Sequence, residues 1–113
     1  MTETVEDLRS RKCAPCAAGT PPHDAARVQA LLTTLPEWSL DNGGISRVFR
    51  FANYYETLAF VNASAWISHR EDHHPDLLIG YNQCKVRYVT HTVGGLSDND
   101  FICAAKLDAL LDL

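Results

Sequence analysis

The sequence predicts an α+β domain of two layers, a four-stranded antiparallel sheet with helices packed on one face in the order α-β-β-α-β-β-α. Three observations predict it. Apolar residues recur at helical spacing in three separated stretches. A turn signal, Asp41-Asn42-Gly43-Gly44, joins two short apolar runs. From Cys84 to His91, Cys84, Val86, Tyr88 and Thr90 alternate with Lys85, Arg87, Val89 and His91, the period-two pattern of a half-buried strand.

Taken in chain order, residues 1–22 read as an N-terminal arm, and residues 23–113 as the compact domain. The arm is a short polar piece with some helical character, then Cys13-x-x-Cys16, then Gly19-Thr20-Pro21-Pro22. As a solvated appendage it needs no partner. Pro21 and Pro22 suit a chain entering the first turn of a helix, where a missing N–H costs nothing. Ala26, Val28, Leu31, Leu32 and Leu35 mark that helix. Trp38-Ser39-Leu40 opens a strand, and Ile45 to Phe51 returns beside it, with Phe49 and Phe51 on one face and Val48 and Arg50 on the other. Asn53 is a natural N-cap for the longest helix, residues 54–69. Its apolar stripe is Tyr54, Leu58, Val61, Ala65 and Ser68, with Phe60, Trp66 and Ile67 off the stripe. The helix must stop before Pro75, because the residue preceding a proline avoids the α region. Leu77 to Tyr81 is a short strand, joined through Asn82-Gln83 to the alternating strand, which Gly94-Gly95 breaks. Ser97 with Asp100 three residues on forms a capping box for a last helix from Asp98 to the end, with Phe101, Ile102, Ala105, Ala109 and Leu110 facing inward. The second face of the sheet is left to solvent or to another subunit, and open strand edges favour association.

Composition narrows the function. Apolar residues are 46% and charged residues 21%, a globular balance. The formal charge of −4, without a basic block, argues against a nucleic-acid partner. No run of 18 apolar residues is present to span a membrane, and the acidic Met-Thr-Glu-Thr-Val-Glu-Asp start is no secretory signal, so the expected location is cytoplasmic. A reducing compartment makes a disulfide framework unneeded, and Cys84 and Cys103 read as small buried hydrophobes. Cys13 and Cys16, with His23 as a third donor, lack a fourth ligand for zinc.

Four of the five histidines fall between residues 69 and 91. His69, His73 and His74 stand where the long helix ends, and His91 at the end of the last strand. Such element ends are where a rigid scaffold presents a site. Imidazole titrates within reach of pH 7, so two of them can divide acid and base work. A metal reading competes, because His69 and His73 are spaced i, i+4. The intervening Arg70-Glu71-Asp72 puts the glutamate one place too late for the zinc-protease helix, and adjacent His73 and His74 cannot both point one way on a regular helix. The reading taken is therefore metal-free. The bland alternative makes these histidines surface groups or helix caps.

The pattern His69-x3-His73-His74-Pro75-x5-Tyr81-x9-His91-x8-Asp100 resembles the signature of the pterin-4a-carbinolamine dehydratases. The stretches EDHHPDLLIGYN and THTVGGLSDNDFICAAKLDAL resemble the family along much of their length, and the likeness covers residues 23–113. Bacterial members carry a cysteine-rich arm of this kind. The resemblance implies the same α+β fold and an enzyme that removes water from a 4a-hydroxytetrahydropterin to give quinonoid dihydropterin, in recycling the cofactor of aromatic amino-acid hydroxylases. It implies no cofactor and no metal, and a homodimer or homotetramer. A hydroxylase in the same pathway is a possible partner. By position it implies His73, His74 and His91 as catalytic residues. Two of these, His73 and His91, carry the proton transfers in an order left open, and His74 mainly holds the pterin. Substrate contacts carry over to His73, His74, Pro75, Thr90, His91, Thr92 and Val93. Asp100 and His69 are candidates for orienting a catalytic histidine, with His69 standing where the animal enzymes have Glu. The alternative on the same fold is a non-catalytic dimerisation, coactivator or assembly module.

Overall fold

A computed structural model of the chain describes residues 3–112. Its elements are α1 (Val5–Ser10), α2 (Ala25–Thr33), β1 (Ser39–Asp41), β2 (Gly44–Arg50), α3 (Tyr54–Glu71), β3 (Asp76–Ile79), β4 (Gln83–Tyr88) and α4 (Asp98–Ala109), with a 3-10 turn at His91–Val93. The four strands form one antiparallel sheet in the order β1-β2-β4-β3, as an α+β domain requires. Among the described residues, no helix is long and apolar enough to cross a membrane.

The β1–β2 turn closes tightly because Asn42 (φ 48°) and Gly43 (φ 82°) both take left-handed backbone, the twist that suits a two-residue hairpin. Register then sorts the side chains. Ile45 lies opposite Tyr88 and Phe49 opposite Cys84, so these residues and Val86 share the inner face, and all are buried. Trp38 packs edge-on to Phe49, and Phe49 against Phe60 of α3. On the outer face, Val48 and Leu78 flank Lys85 and remain exposed.

In α4 every residue from Asn99 to Ala105, and Leu107, is buried. A helix covered on all sides needs two coverings. The sheet layer and α3 supply one. The arm supplies the other, because α1 packs on α4 and its Leu8 is fully buried. The arm is therefore not the solvated appendage that its polar sequence suggests. Leu8 alone contributes about 2 kcal/mol of apolar burial. The arm is also clasped by Asp98 at the start of α4, which accepts from Arg11 (2.9 Å), His23 (2.7 Å) and Arg27 (3.2 Å). Burial alone would raise the Asp98 carboxyl, but the hydrogen bonds from Arg11 and His23 outweigh it and hold it below its ordinary value.

Two elements differ from expectation. The first helix of the domain begins at Ala25, capped by Asp24, and not at the prolines. Pro22 instead sits against Gly95, where any added Cβ would come within 2.8 Å. On α3 the buried face is Thr57, Phe60, Ser64 and Ser68, whereas Tyr54 and Ala65 are exposed. Helical hydroxyls can be buried because they bond back to the main chain. Thr57 donates to Asn53 O (2.9 Å), lies 3.0 Å from Tyr81 O, and so ties α3 to the β3–β4 connection. Ser64 donates to Val61 O (2.7 Å).

On β2, Arg47 donates to Asp108 at 2.7 Å, and the same oxygen accepts from the Trp38 indole at 2.9 Å. Arg47→Ala leaves that largely buried carboxylate without its cation and should cost about 2 kcal/mol in urea unfolding, a partly buried pair's share of the full penalty. A cost near zero would show that the pair is solvated. The Asp98 clasp has a defined pH sense. Because its folded-state pKa is depressed, its stabilisation is present above the ordinary 3.8 and is lost as pH falls below it. Asp98→Asn should therefore flatten the fall in Tm on acidification through that range. An equally steep fall in the variant would place the acid sensitivity elsewhere.

Candidate active site

The site begins where α3 ends. Asp72 takes left-handed backbone (φ 51°, ψ 43°) and stops the helix, and the His73 N–H bonds back to Ser68 O at 3.2 Å. This turn brings the His73 ring to the start of α4, with Nε2 2.7 Å from Asp100 Oδ1. Asp100 is fully buried. Its other oxygen accepts the Ser97 N–H (3.0 Å), completing the capping box of α4, and the Thr90 hydroxyl (2.8 Å). A carboxylate in the first turn of a helix also gains from the helix dipole. One side chain thus caps α4, fixes His73 and holds the strand-end residue Thr90.

The chemistry follows from those bonds. A carboxylate only accepts, so the bond to Asp100 places a hydrogen on Nε2 of His73 and leaves Nδ1 as the second ring nitrogen. Beneath the ring lies Tyr88, stacked at 5.7 Å and 11°. Burial, with the nearby Cys103 and Cys13 thiols, pushes the Tyr88 hydroxyl well above its ordinary value, so it stays neutral. Hydrogen bonding to Cys13 and burial likewise push the Cys103 thiol up, and burial pushes up Cys84. Both of these cysteines are buried in the core.

His73, Thr90, Thr92 and Asn99 line a cleft of about 370 Å³. Its remaining walls are Arg70-Glu71-Asp72 and the arm segment Cys13–Cys16. Of the other sequence-derived candidates, Pro75 is half-buried, and His74 and His91 are exposed, His91 opening the 3-10 turn. Val93 is buried and lines an adjoining depression beside Ser97 and Asp98. His69 lies exposed against Trp66, ring centroids 5.8 Å apart. The helix ends at Glu71, so the i, i+4 relation of His69 and His73 is not kept. Among the described residues, no three His, Cys, Asp or Glu side chains gather as a metal-holding set.

Sequence reasoning did not reach Tyr88, Asn99 and the arm as parts of the site. The alternation marks Tyr88 as buried but says nothing of what lies over it. The arm's role shows only once α1 is docked on α4.

The chain is similar to known proteins along most of its length. A family model described as pterin 4 alpha carbinolamine dehydratase matches residues 21–110. A Nitrosomonas eutropha protein named for pterin-4-alpha-carbinolamine dehydratase is 59% identical over 106 residues, which cover 93% of this chain and 94% of that protein. A Nitrosospira multiformis protein of the same name is 51% identical over the full length of both chains. A solved Brucella melitensis structure, described as a transcriptional coactivator/pterin dehydratase, superposes with a TM-score of 0.76 at 25% identity, covering 79% of this chain and 97% of that one. By its fold and by these matches, the chain belongs to the pterin 4 alpha carbinolamine dehydratase family.

Proposed function

We propose that the chain dehydrates a 4a-hydroxytetrahydropterin to quinonoid dihydropterin by histidine acid–base catalysis, as a step in renewing the pterin used by aromatic amino-acid hydroxylases. The observation that carries this reading is the His73–Asp100–Thr90 network, of which His73 and Thr90 line a cleft. It joins the two segments, 73–75 and 90–93, that the family resemblance assigns to the substrate. The cleft, about 370 Å³, is of the size that takes a small heterocycle.

The reaction breaks the C4a–O bond and the N5–H bond, forms C4a=N5 and releases water. A base must take the N5 proton, and an acid must protonate the departing hydroxyl. His73, held in one tautomer with Nδ1 free, suits the base. His91, on the turn that follows Thr90 and open to water, suits the acid and can be recharged from solvent. His74 and Pro75, next to His73, hold the ring, with Thr90 and Thr92 of the cleft and Val93 of the adjoining depression as further contacts. No cofactor is called for, because the proton transfers alone account for the chemistry. The exposed Leu78, on edge strand β3, supports self-association into a dimer or tetramer.

A second reading, a non-catalytic interaction module, is favoured by one observation, the coactivator description of the Brucella structure. Absorbance-detected decay of 4a-hydroxytetrahydropterin in a stopped-flow instrument separates the two. A catalyst accelerates the decay, and a module leaves it unchanged.

In that assay, His73→Ala and His91→Ala should each lower kcat by about 10²–10⁴, the usual worth of a positioned acid or base. His74→Ala should chiefly raise KM. Full activity in both of the first two variants would remove histidine catalysis. Asp100→Asn should lower kcat by about a hundredfold or more, because an amide that donates to Nε2 shifts the hydrogen onto Nδ1. Its stability in urea unfolding should also fall, by about 1–3 kcal/mol, because the same side chain caps α4 and holds Thr90. Wild-type turnover in a folded Asp100→Asn protein would show that the tautomer is irrelevant.

A further inference from the structure

We propose that the arm segment Cys13–Cys16 is a wall of the pterin site, and that Asn99 is the positioning residue that holds it there; this rests on the reading of the cleft as the pterin site. Asn99 is nearly buried, and its carboxamide uses both ends on one residue of the arm. Oδ1 accepts the Ala14 N–H (3.0 Å), and Nδ2 donates to Ala14 O (2.7 Å). The pair imitates one rung of an antiparallel ladder, with a side chain in place of a strand. One residue earlier, the Cys13 N–H donates to Glu71 Oε1 at 2.8 Å, and Lys106 stands 3.8 Å from the other Glu71 oxygen. The Glu71 side chain is only 6% exposed. A nearly buried carboxylate is costly unless it is paired, and the partners of this one are the arm and Lys106.

The consequence for the cleft is chemical. The Ala14 amide and carbonyl, and the Cys13 amide, are already engaged, and Pro15 has no N–H. The side chains the segment offers the cleft are the Pro15 ring and the Cys16 thiol, the latter 3.6 Å from Asn99 Nδ2. The Pro15 ring suits the face of a planar heterocycle, while polar groups at Thr90 and Thr92 suit its edge. Asn99 lies next to Asp100 in α4, so one helical turn sets both the histidine and the wall facing it.

Two measurements test this. In Asn99→Ala, KM for the 4a-hydroxypterin should rise about tenfold with kcat within about twofold, the signature of lost binding rather than lost chemistry. A structural role alone would lower the amount of folded protein and leave KM unchanged. The second uses the wild-type chain and needs no variant to fold. Alkylation of Cys16 by iodoacetamide, followed by peptide fragmentation, should slow at least about tenfold with 7,8-dihydrobiopterin at a hundred times its Kd. Binding of 7,8-dihydrobiopterin without protection of Cys16, or an unchanged KM in folded Asn99→Ala, would overturn the wall while leaving the catalytic reading intact. No binding of the pterin at all would overturn both.

Discussion

The Asp100 carboxylate is the constraint on which the rest of the structure hangs. It is fully buried at the first turn of α4, yet its two oxygens face the His73 ring, the Thr90 hydroxyl and the Ser97 amide. A buried charge survives only when its acceptor sites are filled and its field is answered. Here the helix dipole and the donors answer it together. The capping box that starts α4 and the bond that orients the histidine are therefore a single feature, and neither can be altered alone. Fold stability and site geometry share that one residue.

The same helix explains why the arm belongs to the domain. With Cys103, Ala104 and Ala105 in its middle, α4 has small side chains on faces that a solvent-facing helix would fill with charge. These let α1 approach closely and bury Leu8. The docking brings Cys13 to 3.5 Å from Cys103 and lays Cys13–Cys16 along the cleft. The Asp98 clasp then ties the arm, the domain entrance and α2 to the N-terminal end of α4. Much of what shapes the site is fastened at that helix end.

Much of this was legible in the sequence because local chemistry decided it. Asn42-Gly43 could take left-handed backbone, Asn53 and Ser97 were caps, and Cys84–Tyr88 alternated, so the hairpin, two helix starts and the buried strand followed. The family motif placed His73 and Asp100 in one site. Other features depend on tertiary partners. Thr57 and Ser64 do not read as a core stripe, yet they are buried, because hydroxyls bonded to their own helix can be enclosed. The polar arm looks solvated until α4 is seen to need a cover. The left-handed turn at Asp72 separates His69 from His73 in a way that spacing alone did not show.

A gradient of burial runs across the site and orders its parts. Tyr88 is sealed beneath the imidazole with its hydroxyl neutral, so the stack adds shape and excludes water without offering a proton at working pH. His73 sits above it, mostly enclosed and fixed to Asp100. His74 and His91 lie at the rim in contact with water. A held imidazole keeps one tautomer and one direction, as a base acting on a fixed ring atom requires. A rim imidazole exchanges protons with solvent, as a group that must be recharged each turnover requires. His73 is tied through Asp100 to Thr90, and His91 follows Thr90 on the exposed turn, so the held ring and the solvent-facing rings sit in different environments. The fold achieves that division by ending a helix early at Asp72 and starting another at Ser97.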